Sequence, residues 1–535
     1  MQRLHGAPHA ELARAARTVS AWRAAGHICA PVAEADGHRL RETRVVGAPG
    51  EDKPLILDGG RLYLQRYWQY EADLAAAILA RLDARPKYDE ALLAYRMASF
   101  FQDDRSRQKV AAELVMRRSF SVITGGPGTG KTWTVAVVLA LLADVGATRV
   151  ALAAPTGKAA ARMKESILRT LEREPALAQY RGLLNPEAMT LHRLLGTIPD
   201  SPYFRHDATR PLAVDAVIVD EASMVDLALM AKLFAAVPMS ARIVLLGDKD
   251  QLASVEAGNV LGDICNTSGA EHSGAPIGEH IVELTENRRF AQDSGIHRLS
   301  ALVNMGAADR ALEVKGNDIA WKPLPAPAAL GAALRERVLD GYRACLEAAE
   351  PREALTRLGA FRILCALRRG PYGVENLNRL AEQTLADEGL IAPDGAFYRG
   401  RPVLITTNEY TLGLFNGDVG LLLPDAESGG ELRAWFLDAA GALRRVLPAR
   451  LPAHETVFAM TVHKSQGSEF GRVLLILPDR ETPVATRELV YTGITRACEA
   501  VEIWHEPAAL RAAIARRTER ASGLREALWV RPRAT

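Results

Sequence analysis

The sequence predicts an α/β protein built on two parallel sheets flanked by helices, with a helical N-terminal region and a small antiparallel β insert. Three observations carry this. From about residue 105, short apolar runs alternate with helix-period segments; a second such set returns late in the chain; and a glycine-punctuated stretch of different texture lies within that second set. With 535 residues, 48% of them apolar and 24% charged, the chain has material for several globular domains.

Residues 1–104 come first. The stretches 70–80 and 89–97 carry apolar residues at helix period, after a short strand-like run at 61–67. No catalytic constellation appears here, so the region reads as a docking or accessory domain. Residues 105–284 form the first α/β domain. Its apolar runs at 119–124, 149–153, 216–219 and 242–246 each lead into a loop rich in Gly, Asp or Ser and then a helix, as a parallel sheet requires. Residues 285–535 form the second, marked by runs at 401–406, 472–477 and 500–504 and by an Ala- and Leu-rich helical stretch at 325–395. The antiparallel insert is placed at about 407–455, where Gly413, Gly417, Gly420, Gly429, Gly430 and Gly441 punctuate short strand-like runs.

Bulk properties exclude several classes. A net charge of +2 means that any path for a polyanion must be local. The five cysteines are scattered and never form a CxxC pair, which argues against zinc, an iron–sulfur cluster or a disulfide framework and for free thiols in a reducing cytoplasm. No run approaches the ~20 apolar residues of a membrane span, and the N-terminus lacks the apolar core of a secretory signal.

The chemistry concentrates at strand ends. Gly125-Gly126-Pro127-Gly128-Thr129-Gly130-Lys131-Thr132 follows an apolar strand and opens a helix. Glycines in this pattern let backbone N–H groups surround phosphate oxygens. Lys131 is then placed to reach the β and γ phosphates of ATP, and the Thr132 hydroxyl to bind Mg²⁺. The strand at 217–219 ends in Asp220 and Glu221, with Asp220 the candidate for the Mg²⁺ shell and Glu221 the candidate to polarise the attacking water. The strand at 243–246 leads to Asp248, Asp250 and Gln251, with Gln251 the candidate γ-phosphate sensor. Together these define a P-loop nucleoside-triphosphatase site. Thr156 and Lys158 open another helix after a strand, a second phosphate seat that ATP does not need. His192 lies in a further candidate backbone-contacting segment. Arg289 and Arg496 are the candidates to reach the nucleotide from a second domain.

The segments GGPGTGKT (125–132), APTGKAAARM (154–163), TLHRLLG (190–196), VDEASMVD (219–226), LLGDKDQL (245–252), AMTVHKSQGSEF (459–470) and VYTGITRA (490–497) resemble the ordered motif set of superfamily 1 helicases, from about residue 108 to 497. Within that superfamily they resemble the RecD family most closely. The resemblance implies two RecA-like P-loop domains, a small β-barrel at the insert and a reduced strand-separating pin at about 197–212. It implies that Gln108 contacts adenine, that Arg289 (or the adjacent Arg288) and Arg496 complete the ATP site, that Tyr491 belongs to the last motif, and that Thr156, Thr461 and His463 lie along single-stranded DNA. It further implies 5′→3′ travel from duplex ends during double-strand-break processing and recombinational repair, powered by ATP with Mg²⁺. The expected partners are RecB and RecC, with the N-terminal domain docking on RecC and the nuclease site in RecB. A stand-alone RecD-like helicase is the alternative; the longer N-terminal extension typical of that form is not evident, which favours the subunit. Trp133 departs from the family pattern, which usually has a small residue there.

Overall fold

The computed structural model describes residues 9–530 except 87, 102–105, 183, 185–186, 266–274, 288–293, 410 and 439–440. The N-terminal region holds more than the expected helices. Strands β1 (Cys29–Pro31), β2 (Val46–Gly47), β3 (Leu55–Asp58) and β4 (Arg61–Leu64) form a small sheet in the order β1-β4-β3-β2. The strand-like run at 61–67 ends at Leu64, and Gln65 begins an 18-residue helix, Gln65–Leu82. That helix buries Leu74, Ile78 and Leu82 in the same core as the helix Leu227–Ala236. Leu12, Val19, Leu40 and Leu55 form a separate small core beneath the sheet.

The first large sheet contains β5 (Phe120–Gly125), β6 (Val150–Ala154), β7 (Ala188–Thr190), β8 (Ala216–Val219), β9 (Arg242–Gly247) and β10 (Ile281–Leu284). Its order is β10-β5-β9-β8-β6-β7, and every pairing is parallel. The central strands β5, β8 and β9 are buried throughout because both faces are covered. Val217, Val219, Ile243 and Leu245 enter one core, while Ala216, Ile218, Val244 and Leu246 enter the other. This is the period-2 alternation of a strand buried on two sides. The edge strands β7 and β10 differ from these in having no continuous apolar run, since Thr190 ends one and Glu283 interrupts the other, and they are only partly buried.

The second large sheet contains β11 (Ile319–Pro323), β12 (Phe361–Cys365) and three later strands: β18 (Ala459–Thr461), β19 (Phe470–Ile476) and β20 (Ala497–His505). The order is β11-β20-β19-β12-β18, again all parallel. β12 lies inside the stretch expected to be helical. Its Arg362 breaks the apolar run, yet is only 1% exposed: the guanidinium donates to Val457 O and Leu358 O and lies over the Phe470 ring.

The intervening strands β13 (Pro402–Ile405), β14 (Val419–Asp425), β15 (Glu431–Leu437), β16 (Leu443–Val446) and β17 (His454–Thr456) form an antiparallel sheet, β16-β15-β14-β13-β17. The run at 401–406 was expected in the parallel set. It belongs here instead, because a short buried strand reads the same in either kind of sheet. The chain then returns: Leu524 and Leu528 of the helix Leu524–Trp529 pack into the core of the first sheet. None of the described helices is long and apolar enough to cross a membrane.

Candidate nucleotide site and interdomain cleft

Parallel sheets bind ligands at the carboxyl ends of their strands, and here the carboxyl ends of β5, β8 and β9 converge. After β5 the loop turns through Gly128 and Gly130, whose φ values of 81° and 87° suit glycine. Gly130 starts the helix Lys131–Asp144 without a side-chain cap, an arrangement that leaves helix N–H groups for an anion. Behind it, Thr134 to Leu142 are continuously buried, which anchors the helix in the core. Trp133 is accommodated edge-on against Phe101, with ring centroids 5.3 Å apart. Lys131 Nζ donates to Gly125 O and, at 3.0 Å, to Gly126 O, so the ammonium rests on the rim of the loop. Gln108 braces the loop from behind: its Nε2 donates to Thr129 O at 3.1 Å and its Oε1 accepts from Ser106 Oγ at 2.7 Å. It is not among the residues facing the cavity.

At the end of β8, Glu221 adopts φ 52°, ψ 40°, the left-handed region that non-glycine residues seldom occupy. Asp220 Oδ1 accepts from Glu221 N at 2.8 Å. Burial raises the pKa of both carboxyls. For Glu221 the neighbouring Asp220 adds to the rise, while Arg496 and Lys131 oppose it. At the end of β9, Asp248 is 2% exposed and accepts from Gln251 Nε2 at 3.0 Å and from Tyr491 Oη at 2.9 Å.

One cavity of about 650 Å³ joins these groups to the second domain. From the first domain it is lined by Lys131, Thr132, Asp220, Glu221 and Gln251, and from the second by Gly467, Glu469 and Arg496. Arg496 is buried, with Nη1 donating to Ser468 O at 3.0 Å and Nε to Thr492 O at 3.3 Å. These bonds hold the guanidinium against the cleft. Arg288 and Arg289 lie outside the described residues; Asn287, just before them, donates to Pro127 O at 3.0 Å.

Arg162 was not singled out from the sequence. It lines the same cavity, donates to Gly467 O and approaches Glu469 at 3.6 Å. Its signal was available: it stands four residues after Lys158 on the helix Gly157–Arg173, one turn along the same face.

The candidate nucleic-acid residues divide. Thr156 caps its helix, accepting from Ala159 N at 3.2 Å. Lys158 is engaged between domains: its Nζ donates to Ser468 Oγ at 2.7 Å and to Gly417 O at 3.3 Å. Thr461 ends β18, and His463 follows in a short 3₁₀ turn, where burial lowers its pKa. His192 follows β7, its ring edge-on to Phe204 at 5.7 Å. Phe204 belongs to the 197–212 excursion, in which Thr197 bridges to Phe204 and Tyr203 is 71% exposed.

Fold and site define a P-loop nucleoside-triphosphatase of the helicase type, with two parallel-sheet domains facing one cleft. A sequence model of the AAA domain matches residues 108–257, and one of the UvrD-like helicase C-terminal domain matches residues 456–503. The RecBCD enzyme subunit RecD of Mycolicibacterium smegmatis is 41% identical over 495 residues, covering 90% of this chain and 84% of that one. Its counterpart in Haemophilus influenzae is 34% identical over 529 residues, covering 88% and 80%. The ATP-dependent RecD2 DNA helicase of Deinococcus radiodurans is 32% identical over 448 residues, which span 82% of this chain and 54% of that protein. The chain belongs to the RecD family.

Proposed function

We propose that this chain is the ATP-dependent 5′→3′ DNA helicase subunit of a RecBCD-type helicase–nuclease, moving on single-stranded DNA from duplex ends. The observation that carries the reading is the shared cavity, in which Lys131, Asp220, Glu221 and Gln251 on one wall face Arg496 on the other. ATP is the substrate of that cleft. In hydrolysis the water oxygen bonds to the γ phosphorus, the bond to the bridging oxygen breaks, and ADP leaves with the electron pair. Glu221 takes the water proton, a role that suits a carboxyl with a raised pKa. Lys131 and Arg496 stabilise the charge that spreads over the phosphoryl oxygens.

The residues present also fit Mg²⁺. Thr132 and Asp220 line the same cavity as Lys131, and Mg²⁺ typically takes one or two carboxylates together with substrate phosphates. Thr132 and Asp220 are the residues that would hold it. Such an ion would supply neutralisation of phosphate charge there.

Closing of the cleft brings Arg496 to the nucleotide, and Thr156, Thr461 and His463 grip the strand on the two domains in turn. The antiparallel sheet at 402–456 stands for the family's small barrel, and the 197–212 excursion, led by Tyr203, for its pin. RecB and RecC are the partners, with residues 1–104 as the region that docks on RecC and the nuclease site in RecB. The test is unwinding of duplexes with 5′ or 3′ single-stranded tails by the assembled complex. Unwinding from the 5′ tail is expected, and Lys131→Gln should reduce DNA-stimulated ATP hydrolysis ~10³-fold without dispersing the complex. Undiminished hydrolysis in that variant means that the site is misassigned.

A further inference from the structure

Residues 248–252 belong to the first domain, but side chains of the second hold them. Thr492 Oγ1 accepts from Leu252 N at 3.1 Å, and Gln466 Nε2 donates to Leu252 O at 2.9 Å. Tyr491 Oη donates to Asp248 Oδ2, and the same oxygen accepts from Gln251 Nε2. The Tyr491 hydroxyl also lies against the phosphate loop, since a Cβ on Gly126 would meet it at 2.9 Å.

This network fixes the polarity of the Gln251 amide. Burial raises the pKa of Asp248, against the pull of Lys131, but both carboxyl oxygens already serve as acceptors, Oδ1 from Asp250 N at 3.1 Å and Oδ2 from Tyr491 Oη, so the amide nitrogen faces Asp248. The remaining atom, Oε1, is buried and has no hydrogen-bond partner. A γ-phosphate presents only acceptors and repels an amide oxygen. A water molecule presents donors and suits it. The expectation that Gln251 senses the phosphate is therefore sharpened by the chemistry of the atom left over.

We propose that Tyr491 is a positioning residue for ATP hydrolysis. Through Asp248 it sets the Gln251 amide so that Oε1 accepts from the attacking water, and because Tyr491 comes from the second domain, this alignment exists only when the cleft is closed. The inference rests on the ATPase reading above. Burial and the adjacent Asp248 push the Tyr491 phenol well above its ordinary pKa, so it remains a donor at any working pH.

The test is a double-mutant cycle in the assembled complex, with steady-state ATP hydrolysis measured on single-stranded DNA. Tyr491→Phe should lower kcat ~10-fold with the KM for ATP within ~2-fold. Gln251→Ala should lower kcat at least as much. The double variant should be no slower than Gln251→Ala alone, because Tyr491 acts through Gln251. Thr492→Val, which removes a neighbouring docking bond but leaves the amide alone, should multiply with Gln251→Ala. If Tyr491→Phe does not fold, Asp248→Asn replaces it in the same cycle. Multiplicative losses for Tyr491→Phe and Gln251→Ala, or a change in KM alone, overturn the proposal. Survival of hydrolysis in Lys131→Gln would instead overturn the site assignment beneath it.

Discussion

The two walls of the cleft are built differently. The first domain supplies a contiguous loop and three strand-end carboxyl groups, Asp220, Glu221 and Asp248, held by local geometry: glycines at positive φ, a left-handed Glu221, and a helix that starts bare at Gly130. The second supplies single side chains from separate segments. Arg496 is fixed by carbonyls of its own domain, whereas Tyr491 and Thr492 reach across to the first. The first wall is preorganised for a nucleotide by its own fold. The second acts by being brought near. Most of the catalytic groups thus reside on one side of the cavity, and the groups that complete the site on closure reside on the other.

Substitutions can break or sharpen that contrast. Of three substitutions at the first wall, the seam and the interdomain grip, the largest effect is expected on the preorganised wall. Glu221→Gly should lose most DNA-stimulated hydrolysis, ~10²-fold or more. It should also be no less stable than the parent, and up to ~1 kcal/mol more, because glycine adopts φ 52° without strain. Activity assays beside denaturant unfolding check both halves; an active or clearly destabilised variant contradicts the account.

Next comes the seam between the walls. Gly126→Ala puts a methyl 2.9 Å from Tyr491 Oη and should prop the cleft open. A ~10-fold loss of kcat, smaller when combined with Tyr491→Phe, is expected from the steric origin of the effect. Equal losses in both backgrounds would place the damage in the loop alone.

The smallest effect concerns the grip between domains. Burial pushes the Lys158 ammonium down to about 7 from the usual 10.5; Arg162 and Arg362 lower it too, while Asp418 opposes them. The folded chain then binds fewer protons at this site than the unfolded chain between those values. Its contribution is fully present above pH 10.5 and is lost as pH falls through 7. The thermal midpoint should therefore rise from pH 7 to 10, and Lys158→Met should flatten that rise by ~2 °C. An identical slope in the two proteins would remove Lys158 from the junction's energetics.

The same contrast explains what the sequence revealed. The loop at 125–132 and the pair Asp220 and Glu221 are written consecutively, so strand, turn and chemistry appear together. The second wall is written in pieces. Tyr491 was visible only as a motif member, because its partner Asp248 is 243 residues away. Lys158 carries the composition of a phosphate contact, yet its nearest described partners are Ser468 and Gly417. Among the strands, the long central ones were legible from their apolar runs. Arg362 disguised β12, and the short run at 402–405 gave no sign of its antiparallel partners.

One measurement tests the composite cleft most directly: nucleotide affinity and single-turnover hydrolysis in Arg496→Ala, on single-stranded DNA in the assembled complex. If the second domain completes a site that the first has already formed, the hydrolysis rate should fall ~10³-fold while the Kd for ATP stays within ~3-fold. Hydrolysis at the parent rate would show that the second wall takes no part in the chemistry and would contradict the account.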